Sequence, residues 1–195
     1  MKHEALALLA CPSCKADLAL SADRTDGAEV MAGLLTCRGC ETTYPIVRGI
    51  PRFVGEGSYA SSFGFQWNTF RTTQLDSQNG TTISADTLNA ATGWVAADYR
   101  GQLVLDVGVG SGRFAEIVAA AGGRVVGVDL TTAVDAAFTT IGRRPNVHLV
   151  QADVFRMPFR DATFDKAYAI GVLHHTPDPE AAFGRMVAML KDGGA

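Results

Sequence analysis

The run Leu103-Val104-Leu105-Asp106-Val107-Gly108-Val109-Gly110-Ser111-Gly112-Arg113-Phe114 restricts the fold more than any other stretch of the chain. Its first five residues read as a strand buried on both faces, which shows as a continuous apolar run and not as an alternation. Three glycines at alternate positions follow. Glycine lets the backbone turn sharply and approach a ligand with no Cβ in the way. The helix that begins next presents free N–H groups and the positive end of its dipole. A strand, a glycine turn and a helix in this order make the cradle of a small-molecule cofactor.

From Gly101 onward the pattern alternates between strand and helix. A helix is expected over 113–121, with Phe114, Ile117, Val118 and Ala121 on one stripe and Gly122-Gly123 as its stop. Val125 to Asp129 reads as a second strand, and 132–141 as a helix with Val134, Ala137, Phe138 and Ile141 on one face. Val147 to Ala152 and Phe164 to Gly171 read as third and fourth strands. Asp178 caps a last helix that has Pro179 at its first position and Phe183, Met186, Val187 and Leu190 as its buried stripe. Strands alternating with helices mean an α/β fold with a doubly wound parallel sheet.

The glycine loop itself discriminates among cofactors. A dinucleotide fingerprint needs glycine where Arg113 stands, and a phosphate-binding Walker loop needs Gly-Lys-Ser or Gly-Lys-Thr. Asp106 would repel a pyrophosphate but suits a cofactor with an ammonium and a sulfonium. Asp129, closing the second strand, can accept hydrogen bonds from ribose hydroxyls. Asp153, closing the third, lies where an adenine amino group can donate. Any one of these acids could merely cap a helix, but the three together beside the glycine loop point to an adenosyl sulfonium.

The only four cysteines form two matched pairs, Cys11-Pro12-Ser13-Cys14 and Cys37-Arg38-Gly39-Cys40. In a reducing cytosol this reads as four thiolates around one zinc rather than two disulfides. All four positions of a tetrahedral ion are then filled, which makes the metal structural. The net charge of −3 gives no large electrostatic footprint for nucleic acid, and no apolar run approaches a membrane span. The start resembles a secretory leader, but its apolar run Ala5 to Ala10 is short and Glu4 is acidic. A cytoplasmic protein is expected.

Two resemblances follow from these motifs. Leu9-Ala10-Cys11-Pro12 with Cys14, the second cysteine pair, Tyr44-Pro45-Ile46 and Gly49-Ile50-Pro51 resemble the zinc-ribbon family related to the activator subunit of tRNA and protein methyltransferases. This implies a packing or docking module over 1–54, with Cys11, Cys14, Cys37 and Cys40 as ligands of a structural zinc. Val104 to Gly112, Val128-Asp129, Ala152-Asp153 and the region Phe164-Asp165 through Leu173-His174-His175-Thr176-Pro177-Asp178 resemble class I S-adenosylmethionine-dependent methyltransferases, in the ubiquinone- and menaquinone-biosynthesis branch. This implies a Rossmann-like sheet carrying strands 1–4 of the seven-strand fold over 101–195. It implies Asp106, Gly108, Gly110 and Gly112 near the methionine end of the cofactor and Asp129 with Leu130 at the ribose. Asp153 and Val154 fall around the adenine, and Ile170 and Gly171 beside the sulfonium. His174 and His175 follow the fourth strand, where either could act as a base or merely orient a loop. His148, inside a strand, reads as structural.

Residues 55–100 carry less information. Gly55, Gly57, Ser58, Ser61, Ser62 and Gly64 suggest a flexible connection. Phe63, Phe65, Trp67 and Phe70 beside Arg71 form either a lid over the cofactor or an anchor onto the core. Thr72 to Asp86 is expected as a mobile loop, and 85–97 as a helix with Leu88, Ala91, Trp94 and Val95 on one face. The family continues into further strands beyond the point matching Ala195, so the chain is expected to be C-terminally truncated, with its fourth strand an exposed edge for a partner chain or a second copy. The function expected is methyl transfer from S-adenosylmethionine to an O, N or C nucleophile of a small molecule. The alternative is a noncatalytic docking protein that at most binds the cofactor, and a nicotinamide oxidoreductase is a distant third.

Overall fold

The computed structural model describes residues 1–55 and 61–195, those at 61–63 by their backbone alone. The N-terminal unit begins with a 3-10 turn at His3–Leu8 and continues as four antiparallel strands in sequential order. These are β1 (Leu18–Asp26), β2 (Glu29–Cys37), β3 (Thr43–Val47) and β4 (Ile50–Pro51). In β3 burial alternates strictly, with Tyr44 and Ile46 inward, as a strand with one wet face requires.

The second sheet is parallel, in the order β7-β6-β5-β8. It comprises β5 (Leu103–Val107), β6 (Arg124–Asp129), β7 (Val147–Gln151) and β8 (Lys166–Tyr168). Every residue of β5 and of β7 is buried, which accounts for their uninterrupted apolar sequence. Helices α4 (Arg113–Ala120) and α5 (Ala133–Thr140) connect these strands; α5 buries the expected Val134 and Ala137, whereas α4 buries Ala115, Val118 and Ala119 and leaves the expected Phe114, Ile117 and Ala121 only partly buried. Val118 and Val134 are fully buried.

Several expectations need correction. The fourth strand is three residues long. Pairing with β5 ends at Tyr168, and the chain then turns away through Gly171 at φ +73°. The C-terminal helix α6 (Pro179–Ala188) is capped by Asp178, whose carboxylate accepts the Ala181 N–H at 2.9 Å. Its buried stripe is Ala182, Met186 and Met189, while Phe183 and Val187 are exposed. The stripe is narrow because α6 lies against the turns at Val154–Arg156 and Leu173–His175, not across the centre of the sheet. The edge of β8 is met by the chain's own last residues. Ala167 N–H donates to Ala195 O at 2.9 Å, and Ala195 N–H to Asp165 O at 3.1 Å.

Between the sheets the chain is more helical than its composition suggests. Residues 56–60, within the expected connection, lie outside the described residues, but Ser61, Ser62 and Gly64 open helix α1 (Ser61–Thr69). The expected loop 72–86 instead holds α2 (Asp76–Asn79) and the start of α3 (Ile83–Thr92). Asp76 orders it from eight residues upstream, its carboxylate accepting the Ser84 and Ala85 N–H groups at 3.0 Å each. This replaces a local N-cap. Helix α3 ends at Gly93 in the left-handed region, so Trp94 and Val95 stand outside it, and Val95 is exposed. Among the described residues no helix is long and apolar enough to cross a membrane.

The two sheets share a core. One continuous cluster of buried side chains includes Leu9, Cys11, Val30 and Leu35 from the first unit and Leu105, Val128, Val150, Phe159 and Phe164 from the second. Backbone pairs cross the junction as well. Leu9 bridges Phe159, Arg52 bridges Gln151, and Phe53 N–H donates to Gln151 O at 2.8 Å. The N-terminal unit thereby covers the β7 edge. Phe159 is fully buried at this junction, so Phe159→Ala is expected to lower stability by about 3–5 kcal/mol. Calorimetry should show one shifted transition for the whole chain; two separate transitions would contradict the shared core.

Candidate functional site

The loops leaving the carboxyl ends of β5, β6, β7 and β8 converge where the sheet order switches between β5–β6–β7 and β8. Open α/β sheets form their ligand crevices at such points. A cavity of about 470 Å³ lies here, walled by Val107–Ser111, Val128–Thr131, Ala152–Val154 and Ile170–Val172. Gln66 and Trp67 of α1 and Gln74 add to the wall, with Arg113, Phe114, His175 and Thr176.

The glycine loop fits this place for steric reasons. Gly108 has φ +79°, and a Cβ on it would meet Val172 Cγ2 at 2.3 Å. At Gly110, φ is +54° and a Cβ would lie 3.2 Å from the Trp67 ring. Ser111, in the same wall, has a buried Oγ with no hydrogen-bond partner among the described residues. A backbone cradle with an unpaired hydroxyl beside it suits a polar ligand.

Asp129 stands at the end of β6. Its Oδ2 accepts the Gly110 N–H at 3.0 Å, and its Oδ1 accepts the Thr131 N–H at 2.9 Å and the Thr131 hydroxyl at 2.8 Å. Oδ2 therefore retains most of the remaining acceptor capacity. Burial raises its pKa, while the bonds from Thr131 and Gly110 pull it down. Asp153 closes the turn after β7, with one oxygen accepting the Phe155 N–H at 3.0 Å. Its other oxygen has no partner among the described residues.

Gly108, Gly110, Asp129, Leu130, Asp153, Val154, Ile170 and Gly171 all line the cavity, whereas Asp106 and Gly112 do not. Gly112 packs on Ile141, where a Cβ would meet Cδ1 at 2.6 Å. Asp106 lies behind the wall, 2% exposed, and its Oδ2 accepts the Tyr168 hydroxyl at 2.9 Å. Burial pushes its carboxyl up to about 7. The Tyr168 bond opposes that shift and the Asp129 charge adds to it. His175 reaches the wall and His174 does not, although their rings lie 4.0 Å apart. His148 is buried beneath the sheet end near Lys2 and Glu4, and burial lowers its pKa to about 4.

Sequence reasoning missed Gln66, Gln74, Arg113, Thr131 and Val172. The aromatic cluster flagged the segment containing Trp67 but not which ring faces the cavity. Arg113 reaches Ser84 Oγ at 3.0 Å and Gln74 Oε1 at 3.1 Å, tying the start of α4 to α3 and the chain before α2. No local pattern announces such contacts.

The four cysteines gather in the first unit, all four sulfurs within 4.8 Å of one another. Cys14 and Cys37 sulfurs are 3.4 Å apart, and those of Cys11 and Cys40 3.7 Å. A tetrahedral zinc with Zn–S bonds of ~2.3 Å sets sulfurs ~3.8 Å apart, so the cluster fits one structural zinc. Gly39 and Cys40 N–H groups point at Cys37 Sγ at 3.3 and 3.4 Å, the outer hydrogen bonds that orient a metal-binding sulfur.

Comparison with known proteins agrees with this geometry. Residues 105–195 match the family model described as a methyltransferase domain, and residues 2–49 match that of Trm112p-like protein. A sterol 24-C-methyltransferase of Eremothecium gossypii is 41% identical over 99 residues, 48% of this chain and 26% of that protein. A demethylmenaquinone methyltransferase of Renibacterium salmoninarum is 33% identical over 96 residues, 48% of this chain and 39% of that one. The chain thus spans less than half the length of either relative. A chain from the solved complex of the Haloferax volcanii Trm112 methyltransferase activator shares the fold at a TM-score of 0.57, with 22% identity over 70% of this chain and 59% of that chain.

The buried Asp106 sets a pH dependence. Its folded pKa of about 7 exceeds the unfolded value of 3.8, so between these pH values the folded state holds a proton that the unfolded chain has lost. Its contribution to stability therefore falls as pH rises from ~4 to ~7 and levels off above. Asp106→Asn should lack that slope, so the difference in melting temperature between the two proteins should change steadily across this range. Parallel curves for the two proteins would refute the assignment.

Proposed function

We propose that this chain, which joins a Trm112p-like domain to a methyltransferase domain, binds S-adenosylmethionine in the cavity at the sheet end and passes its methyl group to a small-molecule acceptor. The supporting observation is the placement of Asp129 and Asp153 at consecutive strand ends on the same cavity as the Gly108–Gly110 cradle. The volume of about 470 Å³ suits an adenosyl ligand with an acceptor beside it.

In this reading Asp129 Oδ2 accepts a ribose hydroxyl, the free oxygen of Asp153 accepts from the adenine amino group, and Val154 packs on the base. Ser111 Oγ gains the partner it lacks. Asp106 acts through the cavity floor: once ionised it favours a cationic ligand near Gly108. S-adenosylmethionine when bound supplies an electrophilic methyl group, so the protein's task is chiefly alignment. Orientation alone contributes ~7–11 kcal/mol to such reactions. Ile170, Val172, Trp67 and Phe114 offer an apolar wall that excludes water. In the same reading His175, which lines the cavity where His174 does not, takes a proton where the acceptor must lose one. The acceptor atom is oxygen, nitrogen or carbon.

A purely docking role finds less support. The Phe53 and Leu9 backbone of the cysteine-bearing unit is already engaged by Gln151 and Phe159 of the same chain.

Calorimetry with S-adenosylmethionine, S-adenosylhomocysteine and NAD tests the reading. The zinc-loaded protein should bind both adenosyl ligands and not NAD, and failure to bind either adenosyl ligand rejects it. Asp129→Ala should weaken S-adenosylhomocysteine binding by ~1–3 kcal/mol, because a charged acceptor is lost. An unchanged dissociation constant would remove the ribose role.

A further inference from the structure

We infer that Arg52 is a positioning residue for the cofactor cavity, acting from the cysteine-bearing unit through Gln151 onto the loop that follows Asp129. The inference rests on the adenosyl reading of that cavity. Arg52 follows β4, and its side chain is 11% exposed. The guanidinium forks: Nη1 donates to Gln151 Oε1 at 2.9 Å, and Nη2 to Asp135 Oδ1 at 2.7 Å. Gln151, the buried last residue of β7, passes the contact on, its Nε2 donating to Leu130 O at 3.0 Å.

Two features make this more than a surface contact. A guanidinium only donates, so it forces Gln151 Oε1 toward Arg52 and Nε2 toward Leu130. The orientation of the amide, and with it the partner of the Leu130 carbonyl, is set from the other unit. The same guanidinium also grips Asp135 in the first turn of α5. The segment from Leu130 to Asp135, which follows Asp129 and includes the cavity residue Thr131, is therefore held by Arg52 directly at Asp135 and through Gln151 at Leu130. The planar fork is what allows it, and a lysine ammonium cannot reproduce both arms in that geometry.

The test uses the full, zinc-loaded chain and measures dissociation constants for S-adenosylhomocysteine and for 5′-methylthioadenosine, which lacks the amino-acid tail, together with melting temperature. Arg52→Met should weaken both ligands roughly tenfold, since the loss lies at the ribose and adenine side. Arg52→Lys should keep the pairing with Asp135, recover most of the melting temperature and still bind both ligands weakly. Lys15→Met breaks another contact between the units, Lys15 Nζ to the Met157 and Phe159 carbonyls. It should lower the melting temperature without changing either constant. Wild-type affinity in Arg52→Met, or in Arg52→Lys should Arg52→Met fail to fold, overturns the role of Arg52. Equal loss in Lys15→Met also overturns it, by showing a general stability effect. Absence of binding by the unaltered protein overturns the adenosyl reading itself and the inference with it.

Discussion

A four-stranded parallel sheet has two open edges, and each must be paired or covered if the strands are to stay buried. In this chain the β7 edge is covered by the N-terminal unit, through the Arg52–Gln151 bridge and the Phe53 N–H. Much follows from that contact. It merges the apolar faces of two small units into one core, and a unit of about fifty residues has little core of its own. It also brings the cysteine cluster into the same cooperative structure as the cavity, since Cys11 belongs to that core. A metal at the cysteines would then stabilise the whole molecule and not merely a detachable ribbon.

The cavity carries the opposite energetics. Asp106 and Asp129 are two acids whose pKa values are both raised by burial, with the Asp129 charge adding to the shift on Asp106. Among the described residues the only hydrogen bond from a side chain to Asp106 comes from the neutral Tyr168 hydroxyl. No salt bridge reaches either acid among the described residues. Negative charge held in a partly dry wall is costly without a counter-charge, and a cationic ligand supplies one. The proposed adenosyl ligand, with its sulfonium and ammonium, carries charge of the sign these acids lack, and a pyrophosphate does not.

The parts of the site that could be read from the sequence are those whose signal is local. A glycine loop after a buried strand, and an aspartate closing each of the next two, appear as short runs, and all but Asp106 and Gly112 of that expected set stand in the cavity wall. Where the outcome depended on distant partners, local reading failed. The 72–86 stretch looks like a polar loop because the group that orders it, the Asp76 carboxylate, caps a helix eight residues on. Phe183 and Val187 look buried by helical spacing, but the neighbouring stripe of Ala182, Met186 and Met189 meets the core. Arg113 and Gln74 gave no signal at all, because their meeting is a matter of where α4 and the chain before α2 lie in space.

What the sequence by itself determined is the kind of object: a parallel α/β sheet with a glycine loop after its first strand, preceded by a four-cysteine unit. Buried strands must be apolar throughout, tight turns must be glycine, and metal ligands must come in close pairs, and each of these rules acts within a few residues. Only the tertiary structure decided how the two units join, which histidine reaches the cavity, that Trp67 stands over Gly110, and that Asp106 lies behind the wall. Those facts arise from contacts between residues tens of positions apart, fixed by the shared core and by hydrogen bonds such as those of Arg52, for which the chain carries no local mark.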